Sequence, residues 1–160
     1  MPRRVFFSFH YQNDIFRVNQ IRRLWEFPGK EPVGFWDDSL WEKVKISGDA
    51  AIKRTIDEAL VGTSVTIVLI GSQTAYRRYV KYEIEQSHRL GKGLLGIHIY
   101  NLDDQFGKTS QPGPNPFELI QDPVTGRRLS ELYPTYYWYG NDGRDNISNW
   151  IEVAARKAGR

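Results

Sequence analysis

Gly62-Thr63-Ser64-Val65-Thr66-Ile67-Val68-Leu69-Ile70-Gly71-Ser72 decides the architecture. Six nearly continuous apolar, β-branched residues lie between glycine and serine punctuation, too few for a helix and without the in-out alternation of a half-exposed strand. Such a run is a central strand of a parallel sheet, covered on both faces. The flanks agree with that reading. Upstream, Ser47-Gly48-Asp49 caps a helix from Ala50 to Leu60 with Ile52, Ile56, Ala59 and Leu60 on one face. Downstream, a second periodic stretch runs from about Ala75 to Leu90 and stops at Gly91-Lys92-Gly93, a helix C-cap signal.

The alternation continues in both directions. Val5 to Phe9 is a short apolar and aromatic first strand, and Asn13-Asp14 offers an N-cap to a helix bearing Ile15, Val18, Ile21, Leu24 and Trp25, closed by Pro28-Gly29. Val33 to Asp37 is a second strand, followed by a polar and aromatic loop through Ser39, Trp41 and Lys45. Leu94 to Ile99 is a fourth strand. From Asn101 to Tyr133 periodicity fails among Pro112, Pro114, Pro116 and Pro123, apart from a short helix around Phe117 to Ile120. Tyr136 to Tyr139 is a fifth strand, and the last helix, capped around Asp142, turns Ile147, Trp150, Ile151 and Ala154 inward. Strands alternating with helices predict one α/β domain over residues 1–160: a doubly wound, parallel, five-stranded, flavodoxin-like sheet in three layers.

Composition removes several classes of function. With 160 residues, 40% of them hydrophobic, the chain can bury one good core. A formal charge of +3, from 22 basic and 19 acidic residues well dispersed, is too weak to predict a nucleic-acid partner but is compatible with a small polyanion such as a dinucleotide. The absence of cysteine excludes disulfides, Cys-based zinc sites and thiol catalysis, and His10, His88 and His98 lack metal-ligand spacing, so no metal is expected. The amino terminus reads as a strand and not a signal peptide, and Val65 to Ile70 is too short to cross a bilayer. These readings predict a cytoplasmic protein with no membrane partner.

One residue breaks the pattern. Tyr76, Tyr79, Val80, Glu83, Ile84 and Ser87 follow the spacing of a buried helical stripe, which places a carboxylate among apolar neighbours. Burying an ionised carboxylate without partners costs several kcal/mol, so such a residue either sits at the edge of the stripe paired to a nearby arginine or has a task. Glu85, between Lys81 and Arg89, reads by contrast as a solvated surface charge.

Ligands of open α/β sheets bind beyond the carboxyl ends of the strands. The candidates there are Phe9, His10 and Tyr11 after the first strand, Trp36, Asp37 and Asp38 after the second, and Gly71 and Ser72 after the third. Each also has an ordinary reading as core, loop or cap. G-x-G-x-x-G is missing after the first strand and no P-loop occurs, and strand three ends Ile70-Gly71-Ser72 without a receiver phosphoacceptor aspartate. A glycosidic bond to a cationic leaving group fits better. Nicotinamide departs from NAD+ as a neutral molecule, needs no general acid, and leaves an oxocarbenium that one carboxylate can meet.

The residues resemble the TIR superfamily. Val5-Phe-Phe-Ser-Phe9 with Asn13-Asp14 is similar to the first strand and acidic turn of TIR domains, and Ser72 followed by Tyr79-Val80-Lys81-Tyr82-Glu83-Ile84 is similar to their Trp-Cys-x-x-Glu-Leu segment, with Tyr79 in place of Trp and Val80 in place of Cys. Lys92-Gly93-Leu94-Leu-Gly-Ile97 and the stretch from Asn141-Asp142-Gly143 to Trp150-Ile151-Glu152 extend the likeness to the TIR-like domain of Thoeris antiphage defence proteins, a ThsB-like family once described only as flavodoxin-like and of unknown function. The resemblance implies that Glu83 is the catalytic glutamate of an NAD+ nucleosidase or ADP-ribosyl cyclase, with Tyr79 beside the substrate and NAD+ as substrate instead of a cofactor. It further implies a cyclic ADP-ribose signal, a separate effector that senses it, a viral ligand as trigger and homo-oligomerisation on activation. Two alternatives remain at this level: a non-catalytic TIR interaction module using the loop from Trp36 to Lys45, and another N-glycosidic transferase.

Overall fold

In the computed structural model, which describes residues 3–24, 33–34 and 44–160, Val65–Ile70 forms strand β2 with every residue buried. It lies between β1 (Val5–Ser8) and β3 (Gly93–His98), and β3 pairs in turn with β4 (Thr135–Tyr137). All three pairings are parallel, with Val5 beside Val65, Val65 beside Gly93 and Gly96 beside Thr135. Val33 bridges Phe6 in parallel, its N–H donating to Val5 O and its carbonyl accepting from Phe7 N, each at 2.9 Å. The described residues thus give a four-stranded parallel sheet plus this one bridge on the far side of β1. The rest of the expected second strand, 35–37, lies outside the described residues.

Strand parity explains why β2 is buried throughout and, Thr66 apart, apolar. Val5, Phe7 and Phe9 join Val65, Ile67 and Leu69 against helix α1 (Tyr11–Leu24) and helix α4 (Gly143–Lys157). The other face packs Phe6 on Ile52, Ile56 and Leu60 of α2 (Asp49–Leu60), and Val68 and Ile70 on Val80 and Ile84 of α3 (Arg78–Arg89). The inward face of α4 is the one its periodicity predicts: Ile147, Trp150, Ile151 and Ala154 are all buried. No helix among the described residues is long and apolar enough to cross a membrane.

Three local expectations change. Helix α1 begins at Tyr11, so Asn13 and Asp14 are not its cap. His10 takes that position, its carbonyl accepting from Asp14 N at 2.9 Å and its Nδ1 from Asn13 N at 3.3 Å. Helix α2 follows Gly48, whose φ of 94° only glycine adopts cheaply, and Asp49 turns its carboxylate to Lys53, Arg78 and Tyr79 instead of capping. The continuous helix expected from Ala75 to Leu90 is split into a 3-10 turn, Thr74–Tyr76, and α3, with extended Arg77 between them. Tyr76 consequently leaves the buried stripe and is 67% exposed, whereas Val80, Glu83, Ile84 and Ser87 keep their places in it.

The proline-rich connection is tied to α1 by Arg17 and by Gln20, whose Nε2 donates to Asp103 O at 2.6 Å. Buried Arg17 donates from Nε to Leu102 O at 2.8 Å and from Nη2 to Lys108 O at 3.1 Å, while Nη1 meets Asp14 Oδ1 at 3.2 Å. The short helix expected near Phe117 is a 3-10 turn over Pro116–Leu119.

Where β3 starts, a Cβ on Gly93 would lie 2.7 Å from the backbone oxygen of Ala154 in α4. Neither partner is a side chain that can swing away. Gly93→Ala should therefore lower stability by about 1–3 kcal/mol through overpacking, read as a lower urea midpoint with unchanged m-value. A wild-type midpoint would mean that α4 is not seated this closely on the sheet.

Candidate active site

Even-numbered residues of β1 and β2 face α3, and two of them carry hydroxyls. Ser8 Oγ donates to Glu83 Oε1 at 2.8 Å, and Thr66 Oγ1 lies 2.7 Å from Ser87 Oγ. Ser87 gives its one hydroxyl proton to the Glu83 carbonyl at 2.7 Å, so Thr66 is the donor in the Thr66–Ser87 pair. Glu83 and Ser87 are one helical turn apart. The result is a two-rung polar seam through an otherwise apolar interface, and it fixes the height and rotation of α3 on the sheet.

Glu83 is only 4% exposed. Burial pushes its carboxyl up to about 8, against the opposing pull of the Ser8 hydroxyl. No ion pair to Glu83 occurs among the described residues, so it is not an edge carboxylate neutralised by an arginine. Glu85 is exposed, and neighbouring Arg89 bonds Gln86 Oε1 at 2.8 Å.

Glu83 lines a cavity of about 320 Å³ just past the carboxyl end of β1, within the range of small-molecule sites. Of the residues singled out in the sequence, Phe9, His10, Tyr11 and Tyr79 line it as well. The rings of Phe9 and Tyr11 stack with centroids 6.1 Å apart and planes 30° from parallel. The Tyr79 hydroxyl donates to Asp49 Oδ1 at 2.8 Å, which anchors the ring through α2. His10, its Nδ1 occupied by the Asn13 N–H, is held below its ordinary value by burial and then by the Arg77 charge, so it is a neutral ring. Ser72 is not among the lining residues and accepts from Asn13 Nδ2 at 3.3 Å. Trp36 and Asp37, with Asp38 and Trp41, lie outside the described residues.

The cavity also gathers residues that the sequence reading passed over: Tyr76, Arg77, Arg78 and Lys45 at its walls, and Ser8 behind Glu83. Arg78 is committed to Asp49 at 2.6 Å. The side chain of Arg77 has no hydrogen bond or ion pair among the described residues and faces His10. Two signals pointed to these residues. Arg77-Arg78 interrupts the carboxylate stripe between Tyr76 and Tyr79, and Ser8 shares strand parity with Phe6. No group of three or more metal-ligating side chains occurs among the described residues.

The arrangement is a parallel α/β module with a cavity at the carboxyl edge of its sheet in which Glu83 is the one acidic lining residue among the described residues, with aromatics and cations around it. Residues 6–104 match the family described as Thoeris protein ThsB, TIR-like domain. A protein of Bacillus cereus (strain MSX-D12) named "Putative cyclic ADP-D-ribose synthase ThsB1" is 37% identical over 191 aligned positions, which cover 94% of this chain and 100% of that protein. The chain belongs to the ThsB family of TIR-like domains.

Because the folded state holds the Glu83 proton more tightly than the unfolded chain, the stability Glu83 contributes is fully present below about pH 4.5 and is lost as pH rises to about 8. Glu83→Gln keeps the shape and never ionises. Its Tm should match wild type near pH 5 and exceed it increasingly toward pH 9, by on the order of a few kcal/mol in stability. Asp14, pushed up to about 6 by burial, has the same sign but is common to both proteins and cancels. A Tm difference that stays flat across this range would contradict the burial of an ionisable Glu83.

Proposed function

We propose that the protein cleaves nicotinamide from NAD+ and closes the remaining ADP-ribose into a cyclic product. The observation that carries this reading is the buried Glu83 carboxylate in a cavity whose other lining residues are mostly aromatics and cations; the name of the Bacillus cereus relative supports it. In the step envisaged, the C1′–N bond of the nicotinamide ribose breaks and its electron pair stays on the ring nitrogen, so nicotinamide leaves neutral. C1′ is left as an oxocarbenium, which the ionised Glu83 stabilises across a water-poor cavity. A nucleophilic atom of the same molecule then bonds to C1′ and loses its proton, giving the cyclic product. Attack by water gives linear ADP-ribose instead, so exclusion of water decides the outcome.

The remaining residues have roles in the same scheme. Phe9, Tyr11 and Tyr79 offer aromatic faces to the nicotinamide or adenine. His10, neutral at its position, is suited to a ribose or phosphate oxygen, and Arg77 to the diphosphate. Trp36, Asp37 and Ser72 remain candidates from their place after the strands. The cyclic product would act as a messenger to a separate effector, with a viral ligand and self-assembly as the activating events.

Only ionised Glu83 meets the oxocarbenium, so activity should rise with pH. For the free enzyme, kcat/KM should climb toward a plateau with a midpoint near 8. The bound pyridinium cation favours the carboxylate, so the limb in kcat should lie lower. Nicotinamide release from NAD+ by purified protein is the direct assay. Glu83→Gln should cost roughly 10²–10³ in rate with the fold retained, while Glu85→Gln should change little. Retention of a third or more of wild-type turnover by Glu83→Gln would remove Glu83 from the chemistry. Arg77→Ala should raise KM for NAD+ about tenfold, the loss of one charge-assisted contact, with kcat nearly unchanged.

A further inference from the structure

Ser8 closes β1 and is fully buried, and its hydroxyl is bonded to the side chain of Glu83. A serine on a strand whose other inward residues are Val5, Phe6 and Phe7 is unusual enough to need a reason. Packing does not supply one, because alanine would fill nearly the same volume without a polar atom to satisfy. The groups that face the carboxylate from each neighbouring element are few. Helix α3 brings Tyr79, whose hydroxyl is turned away to Asp49, and Ser87, spent on the Glu83 carbonyl. Strand β2 brings Thr66, spent on Ser87. Across the cavity stand His10, Lys45, Arg77 and Arg78, none of them within hydrogen-bonding distance of the carboxylate. Ser8 is the one group among the described residues that touches a carboxylate oxygen.

We propose that Ser8 is a positioning residue for Glu83: its hydroxyl holds Oε1, leaves Oε2 as the oxygen offered to the bound ribose, and sets the pH at which the carboxylate becomes available. The catalytic half of this rests on the NAD+-cleaving reading above, whereas the coupling between the two side chains does not. The hydroxyl has a single proton and no other hydrogen-bond partner among the described residues, so it serves the carboxylate best as a donor to the ionised form. With the donor removed, the ionised form faces burial unaided, and the carboxyl must hold its proton to higher pH. The same hydrogen bond prevents rotation of the carboxylate, so one oxygen faces the cavity in every turnover.

The test uses the full chain with 13C-labelled glutamate carboxyls, the Glu83 resonance being identified by its absence in Glu83→Gln. Ser8→Ala should move the Glu83 titration midpoint upward by about one unit, and Ser8→Cys, a weaker donor, by less. Nicotinamide release by Ser8→Ala should fall about tenfold at pH 7 and recover as pH rises past the shifted midpoint, with KM for NAD+ little changed. A purely structural serine would give a loss of rate at all pH values and an unmoved carboxyl midpoint, and that result would overturn the proposal. Wild-type protein that releases no nicotinamide at any pH, either alone at high protein concentration or with extract of phage-infected cells added, would defeat the NAD+-cleaving reading instead. The carboxyl titration would still decide the Ser8–Glu83 coupling, and Ser8→Cys would decide it should Ser8→Ala fail to fold.

Discussion

The hydrogen bond from Ser8 to Glu83 is the contact around which the carboxyl edge of the sheet is organised. A carboxyl group inside a packed layer is tolerated only where its geometry is fixed, because a side chain free to move would find water or expel its neighbours. Here the fixing is done from the sheet and not by a cation. An arginine partner would have made ionisation easy and left a neutral, spent pair. One hydroxyl leaves the carboxyl balanced near neutrality, with its pKa pushed up to about 8. The second rung of the seam, Thr66 to Ser87, extends the constraint one turn along α3. Together the rungs bring the first turns of α3 to the end of β1, where the aromatic residues Phe9 and Tyr11 leave the strand.

The break before α3 matters as much as the helix itself. Had the chain run helically from Ala75, Tyr76 would be buried one turn above Tyr79, and the arginine pair would follow the helix surface. The 3-10 turn and extended Arg77 instead carry Tyr76 outward and set Arg77 at the helix entrance, facing His10. A cation at that point lowers the affinity of His10 for a proton. The cavity therefore keeps a neutral imidazole beside a permanent positive charge, two groups that accept different parts of a phosphorylated ribose.

The parts of this architecture legible in the sequence are those where local pattern and tertiary demand coincide. Val65 to Ile70 is apolar on both faces apart from Thr66 because helices cover both faces, and Ile147, Trp150, Ile151 and Ala154 keep strict period because α4 is a long regular helix. Glu83 was legible as a violation of period. Helix starts were not legible, since Asn13-Asp14 and Ser47-Gly48-Asp49 both look like caps, yet the capping work falls to His10 and the Asp49 carboxylate goes to Tyr79. Side chains with several acceptable partners cannot be assigned from neighbours in sequence. For the same reason the partner of Glu83 could be named only as an arginine at the stripe's edge, when the donor was a serine 75 positions away on the first strand. Of the site candidates, Phe9, His10, Tyr11 and Tyr79 meet Glu83 at the cavity because strand ends and helix faces are set by topology, whereas the bond from Asn13 to Ser72 depends on loop geometry that no periodicity encodes.

Size does not locate the site. At the amino end of β3 lies a larger cavity of about 750 Å³, with Lys92, Arg127, Lys157, Tyr136 and Trp150 in its walls, ingredients much like those near Glu83. Its cations have partners within the protein: Lys92 Nζ donates to Thr63 O at 2.7 Å, Lys157 Nζ to Leu132 O at 3.3 Å, and Arg127 Nε lies 4.0 Å from Glu131 Oε2. Tyr136 and Trp150 lie flat on one another with centroids 4.0 Å apart, each using the face that would otherwise receive a ligand. At the carboxyl end, one Glu83 oxygen, one His10 nitrogen and the Arg77 guanidinium have no hydrogen-bond partner among the described residues. A ligand must be met by groups the fold has not already used, and such groups converge where α3 enters above the end of β1.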